Sequence, residues 1–103
     1  MIEKYSSNKS RISTYALMDY LNTPLTGNLL EVPGVGEITL EILTKSGIKT
    51  TYDLIEKYRS FSNADDRVNE FHHWLGEIGI TKGYSHSITY AIIEKNKTLN
   101  TAN

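Results

Sequence analysis

The stretch LEVPGVGEITLEILTKSGIKTTYDL, residues 30–54, decides how this chain is read. Its centre is Pro33-Gly34-Val35-Gly36, a tight turn in which two glycines let the backbone bend sharply and leave no side chain in the way of a close approach. The apolar spacing then predicts a helix from Glu37 to about Ser46, with Ile38, Ile42 and Leu43 on its buried face. Gly47 stands where a left-handed C-terminal cap belongs, and Ile48 is expected to fold back on the helix end. Thr50 and Asp53, three residues apart, form a capping box for a further helix carrying Tyr52, Leu54, Ile55 and Tyr58.

An apolar residue, Pro-Gly-Val-Gly, a helix, a glycine cap and an Ile-Lys-Thr opening together make a helix-hairpin-helix signature. The amides of Gly34, Val35 and Gly36 are expected to point outward at the N-terminus of the helix that begins at Glu37. Unpaired N–H groups and the helix dipole favour an anion there, and phosphate is the obvious one. Such a contact fixes position and carries no base-sequence information.

Outward from this unit the pattern stays helical. Residues 1–8 read as a loose arm. From Lys9 to Leu21, Ile12, Tyr15, Ala16 and Leu17 recur at helical spacing, widened by Met18, Tyr20 and Leu21, and Asn22-Thr23-Pro24 stops the run. Leu25 to Val32 is a connector with a turn at Gly27-Asn28 and a short buried helical turn at Leu29-Leu30. After a polar break from Ser60 to Asn63, Asp65 and Asp66 favour a first helical turn. Val68, Phe71, Leu75 and Ile78 then form a stripe with Trp74 beside it, closed by Gly79. Ile80-Thr81-Lys82-Gly83 is another short turn, and a last helix is expected from about Tyr84 to Lys95 with Ile88, Ala91 and Ile92 inward. Asn96 to Asn103 reads as a polar, fraying tail. The expectation is an all-α, five-helix domain over residues 9–95, with an arm before it and a tail after it. Gly47-Ile48-Lys49-Thr50 and Gly79-Ile80-Thr81-Lys82 echo one another, and a shared way of capping a helix accounts for this better than a repeat.

Composition narrows the function. The 103 residues carry a net charge of −1, so any nucleic-acid contact must be local and use backbone donors rather than a global field. The chain has no cysteine, which excludes a disulfide scaffold and thiolate metal sites. His72 and His73 are adjacent on a helix and diverge, and His86 is distant in sequence, so no metal is expected. The serines near His86 have no nucleophile setting, and neither an enzyme, a cofactor nor a small-molecule substrate is expected. No stretch has the length of a membrane span, and Met1-Ile2-Glu3-Lys4 lacks the apolar core of a secretion signal, so membrane insertion is not expected. Seven tyrosines invite a base-stacking reading, but Tyr15, Tyr52, Tyr58 and Tyr84 fall on apolar stripes, and packing is the expectation for each.

Gly36-Glu37-Ile38 through Gly47-Ile48, then Tyr52, Phe71-His72-His73-Trp74-Leu75, Gly79 and Ser85, resemble the barrier-to-autointegration factor family, over about Lys9 to Glu94. The resemblance implies a compact helical domain that binds double-stranded DNA without sequence preference. It also implies a homodimer that bridges two duplexes, a LEM-domain protein partner, and a nuclear or chromatin-associated setting. On this pattern the DNA contacts are Lys9, Arg11, Pro33, Gly34, Val35, Gly36, Glu37, Ile38, Thr81, Lys82 and His86, and the dimer contacts are Tyr52, Glu56 and Trp74. The chain differs from the family at Glu41 and Ile42, where lysines are usual, at His86, where an arginine is usual, and at Glu56, where a glycine is usual. The alternative is a protein-interaction module with a similar, sterile-alpha-motif-like helical fold.

Overall fold

The computed structural model describes residues 4–62 and 66–101. Five α-helices follow one another: α1 Thr14–Asn22, α2 Glu37–Lys45, α3 Thr51–Ser60, α4 Arg67–Glu77 and α5 Lys82–Thr101. Two 3-10 turns, Ser7–Lys9 and Leu29–Glu31, precede α1 and α2, and no strand occurs among the described residues. The all-α expectation holds. Of the two aspartates expected to open α4, Asp66 is its N-cap residue, and Asp65 lies outside the described residues.

The helix ends follow local chemistry. Thr50 and Asp53 form the expected capping box at α3. At the end of α2 the Gly47 N–H donates to Thr44 O and the Ile48 N–H to Leu43 O; at the end of α4 Gly79 donates to Gly76 O and Ile80 to Leu75 O. Gly47 and Gly79 hold φ of 89° and 106°. These are two copies of one Schellman cap, each followed by a buried isoleucine that closes onto the core. The echo between the two Gly-Ile segments is therefore a shared cap.

α5 is the axis of the molecule. After an exposed first turn, Ser85, His86, Ser87, Ile88 and Thr89 are all buried in succession, so every face of the next turn is covered. α4, α1, α3 and the N-terminal 3-10 turn all pack on it. Ile88, Ala91 and Ile92 join Leu43, Leu54, Phe71 and Leu75 in the core, as their spacing predicts.

Five expectations are corrected. α1 begins at Thr14, not Lys9, because the Arg11 N–H donates to Ser87 Oγ at 2.8 Å and Ser13 caps the helix by accepting from Ala16 N–H. Leu17 and Tyr20 face inward, whereas Tyr15 is 82% exposed and Met18 is exposed too. Residues 4–8 are docked rather than loose: Tyr5 N–H donates to Asn69 Oδ1 and Ser6 N–H to His86 Nδ1. Ile38 is 78% exposed, and α2 buries Thr39 beside the expected Leu43. Five residues separate Ile38 from Leu43, which places them about 140° apart around the helix. Finally, α5 runs on to Thr101, and Lys95 and Asn96 are buried in it.

Those two polar residues are held by distant partners. The Lys95 ammonium donates to Tyr20 O at 2.9 Å and Thr23 O at 2.8 Å, satisfying carbonyls at the end of α1, and it sits 5.0 Å from the Tyr20 ring centroid. Arg59 Nε donates to Asn96 Oδ1 at 2.7 Å. The connector before α2 is organised by Glu31, whose carboxylate accepts from Thr26 N–H, Gly27 N–H and, at 2.6 Å, the Thr51 hydroxyl. Burial pushes the Glu31 carboxyl up, but these hydrogen bonds outweigh it and hold it below the usual carboxylate value.

Candidate nucleic-acid interface

The turn at Pro33 is built from both ends. Val35 N–H donates to Val32 O at 3.0 Å, and Gly34 has φ 96°, the Pro-Gly order of a type II turn. The expectation that three successive amides face outward is corrected here, since the Val35 amide closes the turn and its side chain is buried. Gly34 is required twice over: its φ is left-handed, and a Cβ would lie 3.1 Å from both Ile88 Cγ1 and Ser87 Cβ. The turn is thereby seated on α5.

Gly36 has a different role. A Cβ there would meet nothing within 4 Å, and its φ of −107° suits any residue. It is the N-cap of α2 without a side-chain cap. Its own carbonyl accepts from Leu40 N–H, which leaves the first-turn amides of Glu37, Ile38 and Thr39 with no acceptor in the helix. The anion-favouring donors therefore sit one to three residues later than the sequence implied.

A second helix start, that of α5, reaches the same clefts through Tyr84. Ser85 N–H donates to Thr81 O, so Thr81 is the N-cap of α5, and the amides of Lys82, Gly83 and Tyr84 are its open first turn. The Arg11 guanidinium lies over Gly83. One cleft of about 380 Å³ runs past Arg11, Ser13, Pro33 and Gly34; another of about 370 Å³ runs past Gly36, Glu37, Ile38 and Thr39. Gly34 and Tyr84 border both. Tyr84 is 51% exposed and Tyr52 50%, which overturns the expectation that they pack.

The structure thus brings Arg11, Pro33, Gly34, Gly36, Glu37 and Ile38 around two clefts, with exposed Thr81 and Lys82 at the adjoining start of α5. Pro33, Gly34 and Val35 shape the turn. Lys9 is exposed at the end of the Ser7–Lys9 turn and lines neither cleft. His86 is corrected: it is 1% exposed, its ring stacks on His72 with centroids 4.3 Å apart, and it faces the docked N-terminal segment. It is too deep to touch a ligand. Sequence reasoning sets Tyr84 with the core because it falls on an apolar stripe, yet it borders both clefts.

The residues expected at a dimer contact lie elsewhere. Tyr52 donates its hydroxyl to Leu25 O, and its ring covers Gly27. Glu56 is exposed on the same helix and pairs with Arg59 at 3.4 Å. Trp74, half-buried on α4, packs against Phe71 and receives the Lys57 ammonium over its ring at 5.0 Å. Among the described residues no cluster of three metal-ligating side chains exists, and no helix is long and apolar enough to cross a membrane. Set against protein-family models, curated proteins and solved structures, the chain matches none of them.

Proposed function

We propose that the protein binds double-stranded DNA without sequence preference, gripping phosphates at the Pro-Gly-Val-Gly turn. One observation carries this reading: the open first turn of α2 and Tyr84 at the start of α5 border one cleft beside Gly34, and Arg11 lines the neighbouring cleft. Two sets of unpaired amides at helix starts favour anions. Arg11 adds side-chain charge at one cleft, and exposed Lys82 lies at the start of α5. Open space at Gly36 leaves room for a phosphate. Amide contacts to phosphate read no base edge, so sequence preference is weak. Bridging of two duplexes requires two such surfaces in one particle, which a homodimer through Tyr52, Glu56 and Trp74 would supply. A LEM-domain-like partner and a nuclear or chromatin setting belong to the same reading.

A mobility-shift titration on random-sequence duplex at low and moderate salt tests it. Wild-type protein retards the duplex, and Gly36→Glu, which places a carboxylate at the approach, does not. A folded Gly36→Glu protein that binds as well as wild type refutes the site. The exposed Ile38 favours a second reading, a protein-interaction module. On that reading the wild type retards no duplex at any salt.

A further inference from the structure

We propose that the nucleic acid taken at this site includes an unpaired base, which stacks on the exposed ring of Tyr84. The inference rests on the reading that phosphates are held at the adjoining helix starts. Tyr20 and Tyr58 are buried, and Tyr52 is engaged with Leu25 and Gly27. Tyr84, as exposed as Tyr52 (51% against 50%), stands on the first turn of α5, where the clefts meet. It borders both clefts, with the open amides of α2 on one side and Arg11 on the other. An aromatic face between two anion-favouring points is how single strands are held, because the backbone follows the charge while a base lies on the ring. Of the side chains lining the two clefts, Arg11 is the cation and Glu37 the carboxylate, and the open first-turn amides of α2 add donors beside them. Bases inside an intact duplex are stacked on both faces and show a protein only their edges. Tyr84 is therefore usable only at a strand end, a gap or a single-stranded stretch.

Fluorescence anisotropy on the full chain measures this with two labelled probes: a blunt duplex of random sequence, and the same duplex with a short single-stranded tail. Wild type binds the tailed probe about tenfold more tightly than the blunt one, the size expected for one base stacked on an aromatic ring. Tyr84→Ala brings that ratio to about one, and Tyr84→Phe, which keeps the ring, restores it. Tyr15→Ala, at an exposed tyrosine that lines neither cleft, keeps the wild-type ratio. If the blunt duplex binds and the wild-type ratio is already one, the stacking assignment is overturned while the phosphate grip stands. Loss of the ratio in Tyr15→Ala as much as in Tyr84→Ala overturns it too. If neither probe binds, both readings fall together.

Discussion

The guanidinium of Arg11 occupies the space above Gly83, so closely that a Cβ on the glycine would stand 2.7 Å from Arg11 Nε. The glycine admits the arginine to the start of α5, and the Arg11 backbone is held by Ser87 on the same helix. Gly83→Ala displaces the side chain, which is flexible enough to move. The same change removes a glycine from a helix, a gain of roughly 0.5–1 kcal/mol. The expected outcome is a slightly higher melting temperature with weaker DNA binding, and a salt slope lower by about one. In an Arg11→Ala background Gly83→Ala should weaken binding no further. Additive losses in the double variant would show that the two residues act separately.

Gly34 and Gly36 are separated by one residue and should respond differently. At Gly34 an alanine must adopt a left-handed φ and press into Ser87 and Ile88, and the backbone strain alone is about 1–2 kcal/mol. At Gly36 an alanine enters open space in an allowed conformation, and as an N-cap it costs less than about 1 kcal/mol. Urea denaturation should therefore show Gly34→Ala clearly destabilised and Gly36→Ala close to wild type. Equal losses would mean that the turn is not seated on α5 as described.

Lys95 ties the last helix to the end of the first. Lys95→Met keeps most of the buried stem and removes the donor to Tyr20 O and Thr23 O. Tyr20 O keeps the Thr23 N–H, but Thr23 O loses its donor, and leaving a buried carbonyl unpaired costs about 1–3 kcal/mol. Thermal denaturation should show that loss, while duplex binding by the folded variant is retained. A Lys95→Met protein as stable as wild type would show that water replaces the ammonium without loss.

Glu31 makes stability depend on acid. Its carboxyl is held below the usual value in the folded chain, so the folded state binds protons less readily than the unfolded one. Its contribution is therefore complete above the ordinary carboxylate value of 4.5 and is lost as pH falls through the depressed folded value. Melting temperature should fall on acidification in that window. Glu31→Gln, already weaker at neutral pH, should fall less. Parallel curves for the two proteins would remove Glu31 as a cause.

What could be read from sequence was what neighbouring residues decide among themselves. Thr50 with Asp53, and Gly47 and Gly79 with their following isoleucines, settle helix ends within a few residues. Pro33-Gly34 marks a turn for the same reason. What escaped depends on partners far along the chain. Ser87 holds Arg11 extended and delays α1. Tyr20 and Thr23 give Lys95 a buried role, and Arg59 gives Asn96 one, so a polar tail becomes helix. Ile38 reads as core because it is apolar, yet the rotation of α2 is set by where Thr39 and Leu43 find the core. The candidate site was legible as a turn, and illegible where it depends on α5 standing beside it.

Salt and sequence together test the grip itself. A site made of amides at two helix starts, with Arg11 and Lys82 beside them, neutralises few phosphates. Counterion release then gives a shallow dependence, with log affinity falling against log salt at a slope corresponding to about two to four phosphates per protein surface. Affinity should also be nearly the same for unrelated duplexes, because no group in this arrangement is placed to read a base edge. The number of surfaces in one particle is a separate quantity, which sedimentation of the free protein reports. A dimer must accommodate Glu56, which is exposed and paired with Arg59 within its own helix. Glu56→Lys should then disrupt bridging of two duplexes while sparing capture of one. A steep salt slope, or a strong preference for one duplex, would mean that side chains outside this site dominate binding, and the amide grip would have to be given up.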